Sequence, residues 1–416
     1  MPKTSKILLL VVSVVLVLTV FLGARSSVSA AQDPQASGAY AQVNVYTEVL
    51  RHIQADYVVE PNIPSVTNGA LRGLLESLDA DSSYLTPADY KAYKAAQAAG
   101  TGKAQVGMVV SKRFGYATVV SVVPGSPADK AGFVDGDILE AISGTDTRDL
   151  SLAVINMMMN GAPGTELTVS VVRPSKAVPD KVTMTRVMVT EPPVSETLYE
   201  NSSILYLKPI VLDREHVTMV ENKLKAGERA GTKKVLLDLR DVSSGDMAEA
   251  TRLANFFIKS GTIATLEGQR VEKVTYTADP AKAFDPTAPL VVLVNRGTSG
   301  PGELAAAALL DDKRAELVGE KTFGEGAEQK TFELPGGAAL ILSVAKYESP
   351  SGKKLQDDGV TPGVLVAGPI PDQDGSVDED TVAEAETAKP GPVAKPQVTV
   401  DDQLNKGLEI LKAKSA

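Results

Sequence analysis

Apolar residues in the first part of the chain recur at the spacing of an amphipathic helix. Between residues 40 and 100 they return every three or four positions, which places them on one face of each predicted helix. Thr86-Pro87 followed by Asp89 is typical of a capped helix start. We therefore predict a helical N-terminal domain over residues 40–100. The residues that carry the pattern are Val45, Val49, Ile53, Leu71, Leu74, Leu75 and Leu78.

From residue 205 onward the pattern changes to short apolar runs that alternate with helical segments. The sequence predicts buried strands over 234–240 and 290–295, and helices over 247–259 and 303–310. Such alternation favours a sheet with helices packed on it. We expect an α/β core over residues 190–368, so the whole chain is predicted to be a multidomain α/β protein.

The two ends of the chain differ from this globular pattern. Lys3 and Lys6 precede an uncharged apolar run over 7–22, and small residues follow up to Ala30. This is typical of a signal peptide over residues 1–30, and the run could equally serve as an uncleaved membrane anchor. We expect export to the periplasm or another extracytoplasmic location. Residues 369–400 are rich in Pro, Ala, Asp and Glu, which predicts a disordered acidic tether before a terminal helix over 401–416.

Composition excludes several classes of function. With 416 residues the chain can form two or three domains, and its net charge of -10 argues against a nucleic-acid surface. The absence of cysteine excludes disulfides, cysteine nucleophiles and thiolate metal sites. His52 and His216 are the only histidines, and no cluster of ligands at metal-binding spacing occurs. We expect neither a metal nor another cofactor, and the sequence leaves the oligomeric state open.

Residues 105–175 resemble a PDZ domain. The landmarks are the segments 106–110, 123–128, 131–132, 135–139 and 161–165. A PDZ domain binds an extended peptide as an added strand, so the resemblance implies exposed protein C-terminal tails as partners. The Met157-Met158-Met159 run could make the groove adaptable or could simply fill the core. The predicted peptide-binding residues are Val106, Gly107, Met108 and Val109 on the strand side, and Leu152, Ile155 and Met159 on a helix over 151–159.

The segment 291–329 carries a second resemblance. It reads Asn-Arg-Gly-Thr-Ser-Gly-Pro-Gly-Glu-Leu over 295–304, and Gly-Glu-Lys-Thr-Phe-Gly-Glu-Gly-Ala-Glu-Gln over 319–329. This resembles the carboxyl-terminal processing peptidases, or tail-specific proteases, which read Asn-Gly-Gly-Ser-Ala-Ser-Ala-Ser-Glu and then Gly-Glu-Lys-Thr-Phe-Gly-Lys-Gly-x-x-Gln. The resemblance implies a crotonase-like layered core and a serine–lysine active site.

When the family motif is aligned with this sequence without a gap, both catalytic positions of the family are occupied by other residue types. The family's nucleophilic serine, taken as the residue before Glu, falls on Gly302, and its lysine falls on Glu325, while Gln329 matches. The resemblance places the oxyanion hole at Ser244 and Gly245, with the N–H after Gly302. It extends over about residues 40–366 and the terminal helix, with further landmarks in the segments 75–85, 237–240, 347–352 and 402–411.

Three functions agree with these observations. The first is a catalytically silent homologue, a pseudopeptidase, that binds C-terminal tails as scaffold, adaptor or competitor. The second is an active serine endopeptidase that cuts near C-termini with the displaced pair Ser299 and Lys321. The third is a carrier of a small apolar ligand.

Two other residue sets have less support. A serine–histidine arrangement would need His216, which the sequence places in a polar helical segment where a solvated histidine is expected. An acid pair would join Glu325 to Asp311 or Asp312. If the peptidase frame is intact, Gly302→Ser combined with Glu325→Lys is predicted to restore weak proteolysis.

Overall fold

The structure is a computed structural model that describes residues 39–98, 104–113, 115–173, 178–284, 287–368 and 400–414. The predicted signal or anchor over 1–30 and the predicted acidic tether over 369–400 lie outside the described residues. The chain forms two compact units, Met1–Asn68 and Gly69–Ala416. Within the described ranges, no helix is both long enough and apolar enough to cross a bilayer.

The first unit contains helix α1, Ala39–Asp56, and the first part of helix α2, Ile63–Glu76. The helices predicted from the apolar spacing are therefore present. Val45 and Val49 nevertheless remain exposed on α1. His52 is also exposed on α1, where its ring lies 2.8 Å from the carboxylate of Asp56.

The segment that resembles a PDZ domain lies within the larger unit. Its sheet has the order β2-β3-β4-β6-β7, with β5 paired to β4, and β2 therefore forms one edge. The apolar residues of the strands and of α5 form one core around Phe133, Leu139 and Ile155. The elements are β2 Met108–Arg113, β3 Tyr116–Val122, α4 Pro127–Lys130, β4 Ile138–Ile142, β5 Thr145–Asp146, α5 Leu152–Met159, β6 Glu166–Val172 and β7 Asp180–Thr185.

The α/β core is built on a second sheet with the order β17-β14-β13-β10-β9-β8. Strands β17, β14, β13, β10 and β9 pair in parallel, and β8 is antiparallel to β9. The elements are β8 Ser195–Tyr199, β9 Ile204–Lys208, α6 Arg214–Arg229, β10 Lys234–Asp238, α7 Met247–Asn255, β13 Leu290–Val294, α8 Pro301–Asp311, β14 Glu316–Gly319, β17 Val364–Leu365 and α9 Asp402–Ala413.

A third sheet lies in the same unit and is antiparallel. Its order is β1-β16-β11-β12, with β15 also paired to β16. The elements are β1 Ser83–Leu85, α3 Pro87–Ala98, β11 Thr262–Glu267, β12 Val274–Thr277, β15 Ala327–Glu333 and β16 Ala339–Glu348.

The third sheet changes the expected boundary of the N-terminal domain. Strand β1 pairs with β16 through Tyr84 opposite Leu340, so the segment after residue 69 is part of the larger unit. The residues predicted as one helical domain over 40–100 are therefore divided between the two units. The local helical pattern was right, but strand pairing with a distant segment decided where β1 and α3 belong.

Two neighbouring parallel strands position the functional site. The loop after β10 carries residues 239–246 and the loop after β13 carries residues 295–300, at the same edge of the sheet. In open parallel sheets, ligand sites form outside the carboxyl ends of the strands, where such loops meet. Helix α8 begins there, and its residues from Pro301 to Leu309 are all buried.

Candidate active-site cleft

Helix α8 begins at Gly300, which is its N-terminal cap. The backbone of Gly300 has φ of 51° and ψ of -111°, a conformation that L-residues with a side chain rarely adopt. A Cβ atom built on Gly300 would have Met247 Cε, at 3.9 Å, as its nearest neighbour. Met247 lines the large cavity of this unit, so position 300 faces open space at the start of the helix.

The structure corrects the role expected for Gly302. A Cβ atom at Gly302 would lie only 2.5 Å from the carbonyl oxygen of Val242 and 3.0 Å from Thr298 Cγ2. The Gly302 N–H is also occupied, because it donates to the carbonyl of Ser299 over 3.0 Å. Gly302 therefore faces the packed loop after β10, and the position where a hydroxyl could enter the cleft is Gly300.

The residue after Gly300 cannot donate a backbone hydrogen bond to an oxyanion. A developing oxyanion is commonly stabilised by the backbone N–H of the residue that follows the nucleophile. That residue is Pro301, which has no backbone N–H. In the loop after β10, Ser244 accepts a hydrogen bond from the Leu212 N–H through its carbonyl, and Gly245 lines the cavity.

Glu303 holds the helix start and the loop 322–325 together. It is completely buried, and its carboxylate accepts hydrogen bonds from the N–H groups of Gly300, Gly324 and Glu325 at 3.0, 2.7 and 2.8 Å. The hydroxyl of Thr322 donates to it as well. Burial raises the pKa of Glu303 to about 7, although the four donors favour its charged form. The sequence marked Glu303 only as a motif landmark, and its role as an anchor was missed.

Ser299 and Lys321, the displaced pair, do not meet. Ser299 is completely buried, and its hydroxyl donates to Glu325 Oε2 over 2.6 Å. Lys321 is exposed, and among the described residues no hydrogen bond or ion pair joins it to Ser299. A hydroxyl that donates to a carboxylate and is closed to solvent has no amine to remove its proton.

Asp81 is a site residue that sequence reasoning missed. It follows α2 in the landmark before β1 and is 7% exposed, and it lines the same cavity as Glu325. Gln356 Nε2 donates to Asp81 Oδ2 over 2.9 Å, and Gln329 Nε2 donates to the Asp81 carbonyl over 2.8 Å. Gln329 thus steadies the loop of Asp81. The only signal in the sequence was the family landmark around Leu75–Leu85, which gave no hint that Glu325 lies nearby.

The two carboxyl groups disfavour each other's charge. Burial, and then the charge of Glu325, raise the pKa of Asp81 to about 7. Burial also raises the pKa of Glu325, against the opposing effect of the Ser299 hydrogen bond. The inner end of the cleft is therefore an acidic site, in which a neutral amine would not persist.

The cavity itself has a volume of about 990 Å³ and extends from Glu325 to the PDZ groove. Of the predicted peptide-binding residues, Met108, Val109, Leu152 and Met159 line it. Ile155 and Val106 lie in the PDZ core, and Gly107, with φ of 80°, lies against Ser126. Met157 lines the cavity, and Met158 packs against the PDZ core.

Direct contacts hold the PDZ domain against the core. The hydroxyls of Ser121 and Ser243 lie 2.5 Å apart, and Arg296 is bonded to Asp135 over 2.6 Å. The guanidinium of Arg113 stacks on the ring of Phe323 at 4.1 Å. The free edge strand β2 and helix α5 therefore open directly into the cleft.

The other expected candidates lie elsewhere. His216 is buried, contrary to the solvated histidine expected, and its ring nitrogens lie 2.8 Å from Asp213 Oδ1 and 3.2 Å from the Pro192 carbonyl. Asp311 accepts from Ser351 at the far end of α8, about 16 Å from its start at 1.5 Å per residue. Within the ranges given above, no group of three or more acidic or histidine residues is arranged for a metal ion.

Comparison with known proteins identifies the class. Residues 210–366 match peptidase family S41, and residues 118–173 match the PDZ domain. The chain is 29% identical over 390 residues to the chloroplastic carboxyl-terminal-processing peptidase 2 of Arabidopsis thaliana, covering 84% of this chain and 74% of the relative. It is 31% identical over 300 residues to a carboxyl-terminal-processing protease of Picosynechococcus sp., covering 72% of each.

A solved structure supports the same fold. The photosystem II D1 C-terminal processing protease superposes with a TM-score of 0.64 at 24% identity, covering 78% of this chain and 92% of that chain. The fold and the matched domains thus place the chain in peptidase family S41, with a PDZ domain. Within that class, the chain belongs to the carboxyl-terminal processing proteases.

Proposed function

We propose that this chain is a catalytically silent carboxyl-terminal processing protease homologue that captures exposed protein C-terminal tails through its PDZ domain. One observation carries the proposal. The buried hydroxyl of Ser299 is bonded to the carboxylate of Glu325 instead of an amine. Serine–lysine hydrolysis needs a neutral amine within about 3 Å of the hydroxyl that attacks.

The backbone around the helix start supports the same proposal. The cleft-facing position is Gly300, which offers no hydroxyl, and Pro301 offers no N–H to an oxyanion. Losing the nucleophile, the base and one oxyanion donor removes three separate contributions to the rate. The peptide-binding parts are kept, because β2 and α5 still line a cavity large enough for an extended segment.

The names of the relatives support tails as ligands. They are described as processing carboxyl termini, and capture of the same kind of segment needs only the groove and the cleft. The chain would then act as scaffold, adaptor or competitor for proteins with accessible C-termini. The N-terminal sequence, with its positive and apolar segments, motivates a place outside the cytoplasm, which fractionation of cells that express the full chain would test.

Binding and turnover on one peptide test the proposal. We expect the full chain to bind a fluorescent peptide with an apolar free C-terminus, and an amidated copy to bind at least tenfold more weakly. Mass spectrometry should show no cleavage of the same peptide by the wild type. Cleavage that Ser299→Ala abolishes would instead establish an active endopeptidase, and equal binding of both peptides would remove the tail-capture role.

A further inference from the structure

The cavity that joins the PDZ groove to the cleft has an uneven charge. Five acidic residues and one basic residue of the described chain line it, namely Asp81, Asp246, Glu249, Glu325, Glu328 and Arg214. The basic residue, Arg214, has a side chain that is 90% exposed and lies 3.9 Å from Glu249, which also pairs with Arg252 at 2.6 Å. The inner end holds the carboxyl groups of Asp81 and Glu325, and no described basic residue is paired with either of them.

Both inner carboxyl groups have only neutral partners. Asp81 Oδ2 accepts from the amide of Gln356, and Glu325 Oε2 accepts from the hydroxyl of Ser299. Among the described residues, Asp81 Oδ1 and Glu325 Oε1 accept no hydrogen bond. Asp81 is more than nine-tenths buried and lines the cavity.

Nearby cations of the chain do not supply the missing partner. Lys112 and Arg113 line a smaller adjoining cavity together with Asp81 and Glu325. The ammonium of Lys112 lies 2.6 Å from Glu76 and donates to the Leu150 carbonyl, and Arg113 is stacked on Phe323. The two carboxyl groups are therefore left for a ligand.

We propose that Asp81 and Glu325 form a subsite for a basic side chain, lysine or arginine, of a tail bound in the PDZ groove. The inference rests on the proposed capture of C-terminal tails and specifies which tails are preferred. A cation entering this end would meet two carboxylates in a poorly solvated site, where ionic attraction is much stronger than in water. Without a cation, the same two groups repel each other, so the site discriminates by charge.

The walls of the cavity add the rest of the specificity. Leu152, Met157 and Met159 provide an apolar surface beside the free edge of β2, while Tyr276 and Tyr347 line the core side. An apolar C-terminal residue would lie in the PDZ groove and the chain would continue toward Glu325. The preferred ligand is therefore a tail with an apolar end and a basic residue upstream of it.

A peptide series on the full-length protein tests this subsite. All peptides share one apolar C-terminus, and lysine is moved one residue at a time along an otherwise neutral sequence, with norleucine and glutamate at the same positions as controls. At one position we expect lysine to bind at least tenfold more tightly than norleucine, and glutamate to bind more weakly than either. The gain should also diminish with added salt.

Variants assign the gain to the two carboxyl groups. In Asp81→Asn with Glu325→Gln the lysine peptide should bind no more tightly than the norleucine peptide, whose own affinity should change less than twofold. Glu272→Gln, an exposed carboxylate outside the cavity, is the matched control and should keep the gain.

Each failure points to one proposal. If peptides bind but lysine gives no advantage at any position in the wild type, the basic subsite is wrong and tail capture stands. If the double variant keeps the full gain, the cation is bound elsewhere and the subsite is wrong. If no peptide with a free C-terminus binds, the proposed function itself is wrong.

Discussion

The hydroxyl of Ser299 donates to the carboxylate of Glu325 over 2.6 Å, and Ser299 is completely buried from solvent. This contact joins two residues whose roles the sequence did not decide. Ser299 is a serine in the expected loop, and Glu325 is an acid where the family resemblance predicts a lysine. A carboxylate can orient the hydroxyl, but it is also a negative charge beside any developing oxyanion. The contact therefore supports the proposed retention of a peptide without hydrolysis.

Restoring proteolysis should require a serine at position 300, because Gly302 has no room for a side chain. Gly302→Ser with Glu325→Lys should show no proteolysis and should lose about 2 kcal/mol of unfolding free energy, since its Cβ would press on the Val242 carbonyl. Gly300→Ser with Pro301→Ala and Glu325→Lys should regain weak cleavage, because it restores the hydroxyl, the N–H and the amine, although the serine must adopt a positive φ at a cost of about 1 to 2 kcal/mol. Peptide cleavage by mass spectrometry and urea unfolding measure the two effects.

Glu325→Lys alone is the control for this series. It places an amine near Ser299 without giving a substrate access to that buried hydroxyl, so it should stay inactive. Activity in the Gly302 variant, with none in the Gly300 variant, would mean that the cleft-facing position has been misassigned.

Stability should fall as the pH rises, owing to the buried carboxyl groups. The folded-state pKa of Asp81, about 7, lies above its value of 3.8 in an unfolded chain, so the folded state holds the proton more tightly. Its contribution is therefore fully present below pH 4 and is lost as the pH rises to about 7. Asp81→Asn should remove roughly 2 to 4 kcal/mol of the decrease in unfolding free energy between pH 4 and pH 8.

Denaturant unfolding at several pH values measures this effect. Asp402→Asn, which neutralises a carboxylate on α9 outside the cleft, is the control and should leave the slope unchanged. The assigned direction would be contradicted if the unfolding free energy of the wild type rose from pH 4 to pH 8 and Asp81→Asn removed that rise.

Removing the anchor at Glu303 should separate the loop 322–325 from the helix start. Glu303→Ala leaves the buried N–H groups of Gly300, Gly324 and Glu325 without an acceptor, at a cost of about 3 kcal/mol or more. Glu303→Gln keeps an acceptor oxygen and should cost less. Hydrogen exchange of the Gly324 and Glu325 amides should accelerate in Glu303→Ala, and unchanged exchange would show that other contacts fix the loop.

The PDZ helix should separate into a binding face and a packing face. Leu152→Ala should weaken peptide binding, because Leu152 lines the cavity, and should cost less stability than a change at Ile155, because Leu152 is less deeply buried. Ile155→Ala should cost about 3 kcal/mol of stability, because Ile155 is completely buried in the PDZ core. Fluorescence anisotropy of a bound peptide and urea unfolding of both variants would measure the two effects. The reverse pattern would mean that the binding face and the packing face have been assigned wrongly.

The sequence by itself determined the order of the parts. Apolar runs gave the strands β10 and β13, the spacing around Gly107 and Asp135 gave the PDZ domain, and the Glu303 and Phe323 motifs gave the peptidase family. Alignment to the family motif also predicted that the family's hydroxyl and amine are absent from positions 302 and 325. These are properties of local pattern, which a linear chain displays without folding.

Only the tertiary structure decided which side chains face the cleft. Gly300 and Gly302 are two residues apart in one motif, yet the loop after β10 closes one side of the helix start and leaves the other open. Pairing of β1 with β16 brings Asp81 beside Glu325, and the docking of the PDZ domain joins its groove to both. Burial, direction and partners arise from long-range packing, so a sequence pattern cannot assign them.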